Sequence, residues 1–134
     1  MSAGRIKNAA LLRFAVQGYD ATSLAEIAGD VGIKTPSIYA HFRGKQALFH
    51  QLLECASNRE LENIRGDLLS RGPVASALHR YLFGTVDRFS SDPHLRFWLR
   101  SIYLPPPKMY EEISRCDQNF AATLEEIISS ALRH

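Results

Sequence analysis

Between Ser23 and Phe42 the chain starts two helices and stops both within twenty residues, which leaves few folds open to it. Ser23-Leu24-Ala25-Glu26 has the form of a capping box, in which a serine and a glutamate three residues on satisfy each other's free backbone amides. Leu24, Ile27, Ala28 and Val31 then give one apolar face, and Gly32 ends the helix where the backbone has to turn left-handed. A new helix opens near Thr35, with Pro36 at the first-turn position that proline tolerates best. Ile38 and Phe42 point inward, and Arg43-Gly44 stops the second helix. A small residue where the helices cross, a glycine at the turn and an aliphatic plug form the spacing of a helix-turn-helix. A generic corner between two helices can share that spacing.

The rest of the chain also reads as helix. A first helix from about Arg5 to Gln17 carries Ile6, Ala10 and Phe14 on one stripe and ends at Gly18. A long fourth helix runs from Lys45 to about Leu69, with Leu48, Leu52, Ala56, Leu61, Ile64 and Leu68 along its apolar side. Arg71-Gly72-Pro73 breaks it. The fifth helix covers about Pro73 to Phe89, with Ala77, Leu78, Tyr81, Leu82 and Val86 apolar. Asp92-Pro93 caps a sixth that reaches about Tyr103. Pro105-Pro106-Pro107 is a stiff linker, and a seventh helix spans about Lys108 to Leu132. No stretch alternates apolar and polar residues and no hairpin turn sequence occurs, so the expected class is all-α.

The outer side of the third helix is polar. Thr35, Ser37, Tyr39, Ala40 and His41 offer hydroxyls, an imidazole and methyl groups suited to base edges, phosphates and thymine methyls. Tyr39 can alternatively cap the core. Ser23 and Lys45 stand at helix N-termini, where free amides and the helix dipole favour an anion. Residues 1–50 hold six lysines and arginines against three acids, whereas the remainder holds ten against eleven. That imbalance fits a polyanionic partner.

The run Gly18-Tyr19-Asp20-Ala21-Thr22-Ser23, then Ile27-Ala28, then Val31 to Phe42 with Tyr39-x-His41-Phe42-x-x-Lys45, resembles the N-terminal domain of the tetracycline-repressor (TetR) family. By position, the resemblance implies phosphate contacts from Ser23, Tyr39 and Lys45. It implies base-region contacts from Thr35, Pro36, Ser37, Ala40 and His41, with Lys34 beside them at the DNA. It also implies a three-helix DNA-binding domain over residues 1–50, joined by the long fourth helix to a helical effector and dimerisation region over 51–134. Members usually carry two further helices that supply most of the dimer interface, and this sequence stops at His134. A homodimer on a double-stranded operator is expected, acting as a repressor released by a small-molecule effector.

Effector contacts are expected from Tyr81, Phe97, Trp98, Tyr103 and Tyr110, the last three near the proline break, although a bundle this small can use all of its aromatics as core. Phe97, Ile113, Phe120, Leu124 and Ile127, too many apolar groups for one small core, are expected either to form a reduced symmetric pairing face or to be left partly uncovered. Two rival readings are a helical protein-interaction adaptor and a DNA-binding regulator without an effector. No catalytic or metal-binding pattern is present: His79, His94, Asp87 and Asp92 lack ligand spacing, and there is no phosphate loop or nucleophile elbow. Neither an enzyme nor a cofactor is expected. Cys55 and Cys116 read as free thiols. The polar start from Met1 to Lys7 has no apolar stretch behind it, so the chain is expected in the cytoplasm with no membrane partner.

Overall fold

The computed structural model describes residues 2–70 and 72–133. Met1, Arg71 of the expected break and His134 at the end of the sequence lie outside them. Among the described residues seven α-helices follow one another: α1 (Ser2–Gln17), α2 (Leu24–Val31), α3 (Thr35–Ile38), α4 (Lys45–Leu68), α5 (Val74–Ser91), α6 (Pro93–Tyr103) and α7 (Tyr110–Leu132). A single 3-10 turn, Pro107–Met109, leads into α7. The fold is all-α: a helix-turn-helix unit joined by a long helix to a helical bundle.

The local signals act where the sequence puts them. Ser23 caps α2 with both halves of the capping box formed. Asp92 caps α6 by accepting the His94 amide at 3.0 Å. The third helix is shorter than its pattern suggests. Its α-helical part ends at Ile38, and the amides of Tyr39, Ala40 and His41 each bond three residues back. Pulling Ile38 and Phe42 into the core together tightens this last turn.

A first core joins Ile6, Ala10 and Phe14 of α1, Ile27 and Val31 of α2, Ile38, and Leu48, Phe49 and Leu52 of α4. It does not stop at residue 50, the border expected from the sequence, which falls inside α4. Phe97 of α6 enters the same cluster, its ring centroid 5.1 Å from Phe49 and 6.2 Å from Phe14. Trp98, Met109 and Ile113 belong to it as well. A second, smaller core gathers Leu61, Ile64 and Leu68 with Ala77, Ile127 and Ala131.

The expected pairing face is therefore corrected. Phe97, Ile113 and Ile127 are buried, and Phe120 and Leu124 are packed against the cores, because α7 lies along α4 and α6 lies across α1. The apolar side of α5 is corrected too. Ala77 is buried and Tyr81 half-buried, but Leu78, Leu82, Phe83, Val86 and Phe89 are exposed.

Candidate nucleic-acid interface

The geometry of residues 23–42 is fixed from several directions. Gly32 sits at φ +83°, and its amide reaches the carbonyls of Ala28 at 2.9 Å and Gly29 at 3.2 Å. A left-handed backbone here swings the chain so that α3 leaves α2 at an angle. On the far side, Arg13 of α1 grips α2 by its side chains. Its Nε and Nη2 each meet an Asp30 oxygen at 2.7 Å, and Nη1 meets Glu26 at 3.0 Å. The hydrogen bond from Arg13 holds the Asp30 carboxyl below its usual range. Glu26 is also lowered, first by the amide of Ser23 and then by Gln17. Arg5 donates to the Val31 carbonyl at 2.9 Å and so closes the C-terminal end of α2.

With Ile38 and Phe42 locked behind it, α3 turns the rest of its surface outward. Lys34, Pro36, Ser37, Tyr39, Ala40 and His41 are exposed and Thr35 is half-exposed. None of the side chains of Thr35, Ser37, Tyr39 or His41 is hydrogen-bonded among the described residues, so their polar groups are free for a ligand. The Ser23 hydroxyl is already engaged, accepting from the Glu26 amide at 3.1 Å and donating to the Glu26 carboxylate at 3.2 Å.

Lys45 departs most from its expected place. Its ammonium is turned inward, donating to the carbonyls of Tyr19 at 2.6 Å and Thr22 at 2.9 Å, and lies 4.0 Å from the centre of the Tyr19 ring. Burial lowers its pKa. It ties the start of α4 to the loop before α2. The basic surplus of the first fifty residues is thus partly internal: Arg5, Arg13 and Lys45 hold the unit together. Lys34 and Arg43 flank the exposed face with no partner among the described residues.

The five residues expected at an effector do not converge. Tyr81, Trp98 and Tyr103 line one cavity of about 350 Å³ between α4, α5, α6 and α7, walled mainly by apolar side chains such as Ile64, Leu95, Phe120 and Leu124. Phe97 is 1% exposed in the first core, and Tyr110 lies on the surface beside Glu111 and Ser114. Packing decides this: consecutive residues on α6 point in different directions, so Phe97 fills the junction with α1 while Trp98 meets Phe120 of α7 at 4.9 Å.

The sequence reading missed Glu60, which also lines the cavity and is 4% exposed. Arg88 of α5 donates to both its oxygens, at 3.0 and 3.1 Å, and the Tyr81 hydroxyl donates at 2.6 Å. Burial pushes the Glu60 carboxyl up, but these bonds outweigh it and hold it below its ordinary value. Burial and the bond to Glu60 push Tyr81 up to about 12. A signal was available: Leu52, Ala56, Glu60, Ile64 and Leu68 recur every fourth residue, placing one carboxylate within an apolar stripe.

Among the described residues no group of three His, Cys, Asp or Glu side chains is placed to hold a metal ion, and no helix is long and apolar enough to cross a membrane. Cys55 and Cys116 are free.

Comparison with known proteins agrees with this geometry. Residues 6–52 match the sequence pattern of the bacterial regulatory proteins, tetR family. The chain is 26% identical over 120 residues to the biofilm operon icaADBC HTH-type negative transcriptional regulator IcaR of Staphylococcus aureus (strain Newman), covering 90% of this chain and 58% of that protein. It is 34% identical over 83 residues to the HTH-type transcriptional repressor ComR of Escherichia coli (strain K12), covering 61% of this chain and 40% of that one. The matches thus span 58% and 40% of the length of these two relatives, which are transcriptional regulators. The fold matches the fatty acid degradation regulator FadR from Bacillus halodurans with a TM-score of 0.77, at 19% identity over 96% of this chain and 67% of that one. Residues 6–52, the helix-turn-helix and the helices packed behind it, thus carry the sequence pattern of the tetR family of bacterial regulatory proteins.

Proposed function

We propose that the chain is a transcriptional repressor that occupies a double-stranded DNA operator in the cytoplasm and leaves it when a small molecule binds. The observation that carries this reading is the free polar face of α3, fixed from behind by Ile38 and Phe42. On this reading Thr35, Pro36, Ser37, Ala40 and His41 meet base edges, while Lys34, Tyr39 and the α2 terminus at Ser23 meet phosphates. Lys45 serves the same surface indirectly, by holding the loop that presents Ser23. Two protomers place their recognition helices about 34 Å apart, in successive major grooves. Residues 1–50 are the DNA-binding part, and residues 51–134 the effector-binding and pairing part. The names of IcaR and ComR, a negative regulator and a repressor, support repression over activation.

α4 is the route between the two parts. It begins at the loop behind α2 and ends on the wall of the cavity, so an effector that favours one packing of α5 and α7 biases the position of α3. Duplex binding measured over a salt series tests the proposal. Log affinity should fall linearly with log salt, by roughly 0.9 per phosphate neutralised. Weak binding with no salt slope would favour a protein-interaction adaptor instead.

A further inference from the structure

The polar corner of the cavity narrows the class of effector, an argument that rests on the reading of this cavity as the effector site. Two carboxylates line it, Glu60 of α4 and Asp117 of α7, and no lysine, arginine or histidine does. Arg88 stands behind Glu60 with two of its nitrogens committed to that carboxylate. The Tyr81 hydroxyl proton is also spent on Glu60. The Thr85 hydroxyl donates to the Tyr81 backbone carbonyl at 2.8 Å and receives Arg88 at 3.2 Å. The donors of this corner therefore point into the network and Arg88 balances the charge of Glu60, so what remains for a ligand is the few acceptor lone pairs left there and the negative charge of Asp117, which has no ion-pair partner among the described residues.

A carboxylate or phosphate head group entering here would lose its water where the nearest cation is already paired with Glu60 and the remaining charge of the lining, that of Asp117, is negative. A head group that donates hydrogen bonds meets acceptors, and if it is charged it meets the opposite sign. The remaining walls are aliphatic and aromatic and suit an apolar body. We infer that the effector is a hydrophobic amine, its ammonium received by Asp117 and by the acceptor oxygens left at the Glu60–Tyr81 corner, and not an organic anion.

Trp98 makes this testable without labels, because it is the single tryptophan of the chain and lines the cavity. The whole chain is titrated with octylamine, 1-octanol and octanoate, matched in length and kept below micellar concentrations, while Trp98 emission and the melting temperature are followed. Octylamine should bind at least about tenfold more tightly than octanoate, with octanol between them. Asp117→Asn, on an exposed position of α7, should reduce that preference without disturbing the fold. Glu60→Gln combined with Arg88→Gln, which removes the ion pair as a whole, should reduce it as well, and the two changes together with Asp117→Asn should abolish it. Octanoate binding as tightly as octylamine, an amine preference that survives all three changes together, or no response to any of the three compounds would overturn the inference. Duplex affinity measured on the same samples without ligand separates the two readings. Salt-dependent DNA binding together with preference for octanoate removes the amine inference alone, whereas loss of DNA binding removes the proposed repressor and leaves the Trp98 titration to be judged by itself.

Discussion

The helix-turn-helix unit and α5 place their apolar residues by opposite rules. In α1 and α2 the regular apolar stripe is the buried face: Ile6, Ala10 and Phe14 go inside, as do Ile27, Ala28 and Val31. In α5 the stripe with the most apolar surface faces out, Phe83 being 64% and Val86 72% exposed. The inward face is instead Val74, Ala77, Tyr81, Thr85 and Arg88. The difference lies in what each helix meets. The apolar stripes of the first helices meet one another, with the Arg13 pairs to Asp30 and Glu26 at their more exposed edge, so burial of apolar area sets their rotation. Across from α5 stands Glu60, and leaving that carboxylate unpaired in a buried place would cost about 3–5 kcal/mol. The inward side of α5 supplies its partners, Tyr81 and Arg88.

The sharpest way to break this comparison is a matched pair of aromatic truncations. Phe97→Ala removes a ring from the core shared by α1, α4 and α6 and should cost about 3–5 kcal/mol. Phe83→Ala, on the outer face of α5, should stay within about 0.5 kcal/mol. Urea unfolding of both variants checks this, and similar losses would mean that the outer face of α5 is packed. Truncating Arg88 to Ala should cost about 3 kcal/mol, since it strands Glu60. The same pair sets a pH dependence. The folded Glu60 carboxyl is held below its unfolded value of about 4.3. Its contribution is therefore present above that value and is lost as the pH falls through the depressed folded one. Stability measured from pH 7 down to 3 should thus fall more steeply in the wild type than in Glu60→Gln.

Smaller effects sharpen the account of the first unit. Gly32→Val forces a side chain into the left-handed region and should cost roughly 1–2 kcal/mol, with duplex binding lost as the turn misplaces α3. Lys45→Ala frees two carbonyls and should cost about 1 kcal/mol of stability. Because its ammonium points inward, the salt slope of DNA binding should not change. A slope flatter by about one unit would return Lys45 to direct phosphate contact.

The first fifty residues were legible because their signals are local. A capping box, a left-handed glycine and a first-turn proline each act within four residues, and all three stand where the sequence placed them. What escaped the sequence depends on contacts across long separations. Lys45 could not be seen to face Tyr19 and Thr22 rather than a phosphate, since its partners are backbone carbonyls with no signature of their own. Phe97 and Trp98 read alike as aromatic neighbours and both join the first core, but only the crossing of α6 over α1 puts Phe97 at that junction and leaves Trp98 also on the cavity wall. Glu60 was the exception, readable as a charge in an apolar stripe but overlooked.

The central claim is that the outer face of α3 reads DNA, and selection of bound duplexes from a random pool tests it most directly. Wild type should enrich a defined and partly palindromic motif. Thr35→Ala and Ser37→Ala should each relax the preference at particular base pairs, by about 1–3 kcal/mol at each, while affinity for unrelated duplex stays nearly the same. Tyr39→Phe should weaken all sequences alike and leave the motif intact. The same motif recovered at equal strength from wild type, Thr35→Ala and Ser37→Ala would place the reading surface elsewhere and contradict the account.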